Sequence, residues 1–142
     1  MQSTELKNLE LVAKGKVRDI YAVDSDHLLI VTTDRMSAFD VVLPNPIPGK
    51  GEVLTQLSEF WFEKTQSIVS NHMTDDLELV DLLDSPDQLD YFSKRSMIVK
   101  RLNPLPIEAV VRGYLIGSGW KDYQATGSVC GIQLEEGLQM AQ

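Results

Sequence analysis

Two strand-like segments joined by an acidic turn restrict the fold of this chain more than any other feature. Residues 17–23 alternate between two faces with the two-residue period of a strand, and residues 27–33 are aliphatic and β-branched. Between them, residues 24–26 read Asp-Ser-Asp, which is a turn signal. With residues 9–13, these segments predict an antiparallel meander of three strands. One acidic residue, Asp19, falls on the same face as its apolar neighbours two positions away.

A proline- and glycine-rich loop and one long helix follow the meander. Three prolines and two glycines crowd into residues 44–51, so residues 35–51 are predicted to form a loop with a specified path. A helix is predicted over residues 52–70, because apolar side chains recur there near one face at helical spacing. We expect this face to pack in the core. It comprises Val53, Leu54, Leu57, Phe60, Trp61, Ile68 and Val69.

The second half of the chain adds two more predicted strands and a shorter helix. Residues 75–90 carry seven Asp or Glu and are predicted to form a solvated surface connection. Strands are predicted over residues 96–102 and 107–111, and a short helix within residues 113–126. Roughly six strands and one long helix make an incomplete α+β inventory, since a sheet needs a second layer on its apolar face. We therefore expect residues beyond Gln142 to belong to the parent protein.

Composition narrows the class of protein. The 142 residues suit one domain or part of a larger one, and 43% of them are hydrophobic and 24% charged. Thirteen Lys and Arg face 21 Asp and Glu, and the net charge of −8 argues against a general nucleic-acid binder. The single cysteine, Cys130, excludes an intrachain disulfide, and two His with one Cys argue against a structural zinc site. With no signal peptide and no membrane-length apolar run, we expect a cytoplasmic protein without a membrane or nucleic-acid partner.

Three segments combine residues that suit the binding of phosphate or carboxylate. The first is the hairpin Lys14–Arg18, in which Gly15 exposes backbone amides between cationic side chains. Such a hairpin can cover nucleotide phosphates, although it lacks the three-glycine kinase pattern and the Walker pattern. The alternative is an ordinary hairpin turn with solvent-facing lysines.

The second segment runs from Thr33 to Asp40 and continues into residues 46–51. Polar and charged groups gather where a strand ends and a rigid loop begins, which is a common place for binding residues. Lys50 lies between two glycines, so its side chain has room to approach an anion closely. The alternative is a loop in which Asp34 and Asp40 only accept hydrogen bonds from local amides.

The third segment is residues 107–120, where a predicted strand gives way to glycines. Arg112 offers a planar fork that suits a carboxylate or a phosphate. Residues 117–119, Gly-Ser-Gly, add amides and a hydroxyl a few positions later. Arg112 and Ser118 are therefore candidates to meet on one anion. The alternative is a structural ion pair between Arg112 and Glu108, on the same face of one strand.

In chain order, these three segments resemble the phosphoribosylaminoimidazole-succinocarboxamide synthase, or SAICAR synthetase, family. Gly15–Tyr21 resembles the family's N-terminal nucleotide loop, and Thr33–Asp40 with Ile47–Gly51 resembles its next block. Glu108–Arg112, followed by Ile116–Ser118, resembles the family's first signature. The resemblance extends through nearly the whole chain, and three ordered blocks together are highly specific.

The resemblance implies a fold and a reaction. The fold is the SAICAR synthase-like α+β type, with an antiparallel-sheet N-terminal lobe and one long helix over residues 1–102. Residues 103–142 would begin a second, ATP-grasp-like lobe. The family joins L-aspartate to 5-amino-1-(5-phospho-D-ribosyl)imidazole-4-carboxylate with ATP and Mg2+, giving SAICAR, ADP and phosphate in de novo purine synthesis. The expected partners are these small molecules and the remaining C-terminal portion of the enzyme.

The resemblance also implies roles for individual residues. The loop over the ATP phosphates would comprise Gly15, Lys16, Val17 and Arg18. The adenine edge would be read by backbone groups of the connecting segment Lys100, Arg101 and Leu102, next to Glu108. The imidazole nucleotide would be bound by Arg112, Gly117 and Ser118. Further candidates on the substrate or phosphate side are Ser37, Asp40 and Lys50.

The chain also departs from the family pattern. The family's second signature, with an acidic residue and a lysine on a later strand, is absent, and so are the acidic residues expected to hold magnesium. No metal ligand is therefore assigned, and we expect an isolated N-terminal part to have little activity. Two other interpretations remain open. One is a non-catalytic nucleotide-binding or interaction module derived from the same fold, and the other is a kinase-like phosphotransferase, which the lack of His-Arg-Asp and Asp-Phe-Gly motifs disfavours.

Overall fold

The three predicted strands form the meander, and a strand from far along the chain joins its edge. The computed structural model describes residues 5–142, and its strands are β1 (Glu10–Lys14), β2 (Arg18–Ala22), β3 (His27–Thr32), β4 (Ser37–Ala38), β5 (Val41–Val42), β6 (Ser96–Lys100), β7 (Ser128–Val129) and β8 (Ile132–Gln133). The helices are α1 (Lys50–Thr65), α2 (Leu89–Ser93) and α3 (Gly117–Thr126), with short 3-10 turns at Leu79–Leu82 and Pro86–Gln88. The main sheet is antiparallel, in the order β1-β2-β3-β6. The α+β class is confirmed.

The alternation of side chains along the strands places the largest apolar cluster on one face of the main sheet. Tyr21 on β2 lies opposite Leu29 on β3, which lies opposite Ile98 on β6, so one face carries a continuous apolar row. The core that packs on this face is formed by Leu6, Tyr21, Leu29, Val31, Leu83 and Phe92. β1 is exposed along its length and contains a bulge between Leu11 and Ala13. The packed core thus fixes β2, β3 and β6. Most of the candidate residues before residue 103 lie at the ends of these strands.

The long helix α1 begins two residues before the predicted start and ends five residues before the predicted end. Its buried residues are small, Gly51 and Thr55, and the Thr55 hydroxyl donates to the Thr32 hydroxyl over 3.2 Å. The expectation that the apolar stripe packs in the core is wrong, because only Leu54 is partly buried. The exposed members are Val53, Leu57, Phe60, Trp61, Ile68 and Val69. Helical spacing identifies an apolar face, but burial depends on which face meets a partner.

The chain divides into two compact units after Asn103, and the second unit is built on α3. Trp120 and Tyr123 of α3 stack with their ring centroids 5.7 Å apart. The Tyr123 hydroxyl donates to the Glu135 carbonyl over 2.9 Å and accepts from the Leu138 amide over 3.0 Å. These hydrogen bonds hold the last residues of the unit against α3.

The predicted strand over residues 107–111 is not formed, so this expectation is wrong. The segment is irregular and exposed, and Val111 has 95% of its surface accessible. β-Branched residues favour extended backbone, but a strand forms only where a neighbour accepts its hydrogen bonds. No strand among residues 5–142 pairs with this segment.

Two further sequence features have a place in the structure. Cys130 is exposed in the turn between β7 and β8, with a φ of 51°. No helix within residues 5–142 has both the length and the apolar character needed to cross a bilayer.

Candidate functional site

The glycine hairpin is held by hydrogen bonds within itself and to the end of β3. The Gly15 amide donates to the Arg18 carbonyl over 2.7 Å, which closes the turn between β1 and β2. A side chain at Gly15 would come within 3.1 Å of that carbonyl, so the turn favours glycine. The Val17 carbonyl accepts from both the amide and the hydroxyl of Thr33, each over 2.8 Å. The first and second candidate segments are therefore joined at one end of the main sheet.

Arg35, to which no role was assigned from the sequence, fixes the conformation of this hairpin. Its guanidinium makes two hydrogen bonds to the buried Asp19 carboxylate, over 2.6 and 3.1 Å. It also donates to the carbonyls of Gly15 and Lys16, over 2.9 and 3.3 Å. A two-pronged pair of this kind specifies orientation as well as adding energy. The available sequence signal is Asp19, because a carboxylate on an apolar strand face needs a partner.

Lys16 and Asp40 connect the glycine hairpin to the short hairpin of β4 and β5. The Lys16 ammonium donates to the Asp40 carboxylate, and both side chains are exposed. The hydrogen bond and the charge of Lys16 lower the pKa of Asp40 below its ordinary value. Asp40 thus pairs with a distant cation rather than with local amides. Ser37, another predicted site residue, is half-buried in β4 opposite Val42.

Lys50 is held at the start of α1, against the same loop. Its ammonium donates to the Arg35 carbonyl over 3.1 Å and has no carboxylate partner among residues 5–142. The Asp34 carboxylate accepts from the Gly51 amide over 2.9 Å and from the Gly49 amide over 3.4 Å. Asp34 therefore does accept from local amides, and these bonds fix the part of the loop that presents Lys50.

A buried arginine next to β6 completes the support of this loop. Arg95 directly precedes β6, and its side chain is only 3% exposed. Its guanidinium donates to Asp34 over 3.1 Å and to Glu52 over 2.7 Å, and lies 4.0 Å from the centre of the Tyr91 ring. Burial alone would raise the pKa of Asp34, but the Gly51 amide and the charge of Arg95 outweigh it and leave that pKa below its ordinary value.

The predicted adenine-edge segment lies at the opposite end of the main sheet. Lys100, the last residue of β6, pairs with His27 of β3, whereas Arg18, the first residue of β2 after the glycine hairpin, pairs with Thr32 of β3. His27 and Thr32 are five residues apart, or about 17 Å along the strand. The amides of Lys100 and Arg101 donate to carbonyls elsewhere in the first unit. Leu102 is exposed, and its amide and carbonyl make no hydrogen bond with residues 5–142.

In the second unit, Arg112 packs against the first residue of α3. Gly117 has a φ of 61°, which favours glycine, and a side chain there would lie 3.2 Å from the Arg112 guanidinium. Arg112 forms no ion pair within residues 5–142, and the alternative pair with Glu108 is not formed. Ser118 is the exposed second residue of α3, whose first amides lack a capping side chain. Arg112, Gly117 and Ser118 thus come together, while Glu108 lies in the irregular segment before them.

The candidate residues of each unit carry groups that suit anions. Within the part of the chain that the structure describes, no three His, Cys, Asp or Glu side chains are grouped so that they could hold a metal ion. The candidate groups are instead ammonium, guanidinium, amide and hydroxyl groups, which suit phosphate and carboxylate.

Comparisons with known proteins agree on one family. The family model for SAICAR synthetase matches residues 11–142. The phosphoribosylaminoimidazole-succinocarboxamide synthase of Thioalkalivibrio sulfidiphilus is 62% identical over 138 residues, which are 97% of this chain and 46% of that protein. The synthase of the same name from Methylococcus capsulatus is 58% identical over 139 residues, which are 98% of this chain and 46% of that protein.

Solved structures give the same result for the fold. A structure of SAICAR synthase matches with a TM-score of 0.89 at 45% identity, covering 100% of this chain and 50% of that chain. SAICAR synthase from Saccharomyces cerevisiae, in complex with SAICAR, matches with a TM-score of 0.86 at 44% identity, covering 99% of this chain and 50% of that chain. The SAICAR synthase-like fold is confirmed. The chain spans about half the length of the relatives that it matches.

Proposed function

Because the chain belongs to the SAICAR synthetase family, we propose that it forms the N-terminal part of an ATP-dependent ligase of purine synthesis. The ligase joins L-aspartate to 5-amino-1-(5-phospho-D-ribosyl)imidazole-4-carboxylate and releases SAICAR, ADP and phosphate. The observation that carries the proposal is that Lys50 and the glycine hairpin, which contains Lys16 and Arg18, lie at the same end of the main sheet. Since all the substrates are small polar molecules, we expect the enzyme to act in the cytoplasm.

The reaction requires an activated acyl group, because a free carboxylate has only oxide as a leaving group. An oxygen of the imidazole carboxylate attacks the γ-phosphorus of ATP, ADP departs, and an acyl phosphate forms. The aspartate amine then attacks the acyl carbon, phosphate leaves, and the nitrogen loses a proton to give the amide. Both steps depend mainly on positioning and on the neutralisation of negative charge.

Four cationic side chains lie in or near the glycine hairpin, and three of them, Lys16, Arg18 and Lys50, suit the binding of a triphosphate. Arg35 is committed to a buried carboxylate and orients the hairpin, whereas Lys16 is held only by the exposed Asp40. Arg18 and Lys50 have no carboxylate partner among residues 5–142. In a chain of net charge −8, this local excess of cations favours an anionic ligand. A bound triphosphate would compete with Asp40 for Lys16 and interact with Arg18 and Lys50.

The distance between the hairpin and Leu102 supports a nucleotide that lies along the main sheet. The two ends are about 17 Å apart along β3, so phosphates at the hairpin leave room for a base at the other end. The unbonded amide and carbonyl of Leu102 would then be available to the edge of the base. In the second unit, Arg112 and Ser118 offer a fork and a hydroxyl to the phosphate or carboxylate of the imidazole nucleotide.

Magnesium is expected for the family, and no ligand for it is assigned among the described residues. No group of three or more metal-ligating side chains is present within residues 5–142. No step of the proposed reaction is therefore assigned to a metal ion held by this chain.

A chimera tests the proposed activity. This chain would replace the corresponding half of the Thioalkalivibrio sulfidiphilus relative, with which it shares 62% identity. We expect sustained ADP release only when L-aspartate and the imidazole nucleotide are both present, because the acyl phosphate must form and then be consumed. The measurement is a coupled assay for ADP, with the unaltered relative as the positive control and each substrate omitted in turn. Sustained release without the imidazole nucleotide would contradict the proposal.

The second candidate function is a non-catalytic nucleotide-binding or interaction module. The observation that favours it is the group of cations at the glycine hairpin, Lys16, Arg18 and Lys50, which could bind a nucleotide without any catalytic step. This function predicts that the chain binds ATP, while a correctly folded chimera releases no ADP. That pair of results would select the module over the ligase.

Replacing Arg112 by alanine in the chimera is expected to weaken binding of the imidazole nucleotide about 10- to 100-fold, the usual range for a lost hydrogen bond to a charged group. Affinity for ATP should change much less, because the proposed phosphate-binding cations Lys16, Arg18 and Lys50 belong to the first unit. Calorimetric titration with each nucleotide measures both effects. Lys121→Ala removes a different exposed cation of the second unit, which lies on α3, and is the matched control, for which neither affinity should change. Equal losses for the two nucleotides would count against the role assigned to Arg112.

A further inference from the structure

Arg35 holds two successive peptide units of the glycine hairpin by their carbonyl oxygens. Its Nη2 donates to the Gly15 carbonyl over 2.9 Å, and its Nε donates to the Lys16 carbonyl over 3.3 Å. All peptide bonds within residues 5–142 are trans, so each N–H group points away from the carbonyl of the same peptide unit. The amides of Lys16 and Val17, which complete these two units, therefore point away from the Arg35 guanidinium.

These two amides are available to a ligand. Neither the Lys16 amide nor the Val17 amide makes a hydrogen bond with residues 5–142, whereas the preceding amide, of Gly15, closes the turn. Gly15 and Lys16 are exposed and Val17 is half-buried, so a molecule in solvent can reach this part of the hairpin. Successive backbone amides that are not paired within the protein are suited to binding an anion.

The Arg35 guanidinium itself is already occupied. It makes four hydrogen bonds with its five N–H groups, and its charge is paired with Asp19, whose side chain is 4% exposed. The Arg35 carbonyl also accepts from the Lys50 ammonium over 3.1 Å. One residue therefore contacts both the hairpin and the cation at the start of α1, without offering its own charge to a ligand.

We propose that Arg35 is a positioning residue of the phosphate site, which holds the Lys16 and Val17 amides so that they donate to a phosphate bound at the glycine hairpin. The inference rests on the proposed function and adds two backbone donors and the residue that orients them. Donors that are fixed before binding need no ordering when the ligand arrives, so their orientation contributes to affinity. An ion pair with a purely structural role would stabilise the hairpin without this effect on phosphate affinity.

Nuclear magnetic resonance of the isotope-labelled chain tests the two amides, with inorganic tripolyphosphate as the probe. We expect the amide protons of Lys16 and Val17 to shift downfield at saturation, because a hydrogen bond to a charged oxygen deshields the proton. The Leu102 amide is the internal control, since it is also unbonded within residues 5–142 but lies at the opposite end of the main sheet. Binding of tripolyphosphate that leaves both hairpin amides unshifted overturns the inference. The proposed function would remain, because the side chains of Lys16, Arg18 and Lys50 could still bind phosphate.

Arg35→Lys tests the positioning role, because it keeps a positive charge beside Asp19 but replaces the planar fork by a single ammonium. An ammonium cannot hold the carboxylate and both carbonyls in the same geometry. We expect calorimetry to show at least about tenfold weaker binding of tripolyphosphate, equivalent to one lost hydrogen bond to a charged group. The downfield shifts of the Lys16 and Val17 amides at saturation should also be smaller. The titrations are made where urea unfolding shows both proteins to be fully folded, so a loss of stability does not contribute.

A double variant and a control make the outcome decisive. Asp19→Asn with Arg35→Gln leaves the net charge unchanged and no unpaired carboxylate, so it decides the result if Arg35→Lys does not fold, and it should show the same loss. Lys94→Ala removes an exposed cation from the first unit and should leave the affinity unchanged. Folded Arg35 variants that bind tripolyphosphate as tightly as the parent chain overturn the positioning role and leave the proposed function intact. If the parent chain binds no tripolyphosphate, its proposed phosphate site fails, and the role of Arg35 fails with it.

Discussion

Replacing Arg95 by alanine is expected to lower the free energy of unfolding of the first unit by about 3–5 kcal/mol. The guanidinium is buried beside the Tyr91 ring and is the counter-charge of Asp34, whose side chain is 11% exposed. It also donates to Glu52 at the start of α1. Its removal leaves a largely buried carboxylate without its counter-charge and with only the Gly51 and Gly49 amides as partners, which is far more damaging than the loss of an exposed ion pair. Because domains of this size have only about 5–15 kcal/mol of stability, this single change removes much of it.

Urea unfolding followed by circular dichroism measures the effect of Arg95→Ala. Lys94→Ala is the matched control, because Lys94 is the preceding residue and its ion pair with Asp90 is exposed. Its midpoint should not move. Arg95→Met keeps apolar volume against the Tyr91 ring and separates lost charge from lost packing. A methionine variant as stable as the parent chain would show that the two ion pairs contribute no net stability.

The deficit of Arg95→Ala should be largest near neutral pH and should shrink in acid. The pKa of Asp34 in the folded chain lies below its ordinary value of 3.8, so its contribution is complete above that pH and is lost as pH falls through the folded pKa. Without Arg95, burial of Asp34 raises this pKa, and protonation then removes the uncompensated charge. A deficit that is equal at about pH 7 and about pH 3 would contradict this account.

Replacing Gly51 by alanine is expected to destabilise the first unit by about 3 kcal/mol, at the upper end of the range for overpacking. An ideal Cβ atom would overlap the Thr32 carbonyl oxygen and lie 3.1 Å from the Arg95 guanidinium. Thr32 is held between Arg18 and Arg95 in the main sheet, so its carbonyl cannot withdraw without breaking strand pairing. The added methyl would also push the Gly51 amide away from Asp34.

The sign of the Gly51→Ala effect is informative, and the same urea experiment measures it. In an unobstructed helix, alanine in place of glycine stabilises by up to about 1 kcal/mol. Gly49→Ala is the control for backbone strain alone, because Gly49 has a φ of 80° and open space around it. It should cost only about 1–2 kcal/mol. A Gly51→Ala chain that is more stable than the parent would mean that α1 does not approach the main sheet as closely as described.

Local patterns predicted the meander because the information lies within a few residues. The two-residue alternation over residues 17–23 and the turn at residues 24–26 act on neighbouring backbone, and β2 and β3 form where they predict. Local patterns did not predict which side of α1 faces the main sheet. Its apolar stripe is the stronger signal, yet Gly51 and Thr55 are buried, since only small side chains allow the helix to approach Thr32.

The candidate site was also predictable only where the signal is local. Gly15 and Gly117 could be identified from the sequence, because a tight turn and a positive φ both favour glycine. Arg95 carries no such signal, because its partner Asp34 is 61 residues away and any buried arginine would look the same in the sequence. The prediction of a strand over residues 107–111 failed for a related reason. Strand propensity is a local property and does not supply the neighbouring strand that pairing requires.

The late return of β6 to β3 determines when the stabilising contacts of Arg95 are made. β1, β2 and β3 follow one another through short turns, whereas Arg95 meets Asp34 only after a loop of 61 residues has closed. Closing such a loop costs chain entropy before its contacts form, so we expect the hairpins to assemble first and β6 to dock afterwards. Interactions that are absent from the folding transition state act on the rate of unfolding. The ion pairs of Arg95 would then govern how long the folded first unit persists rather than how quickly it forms.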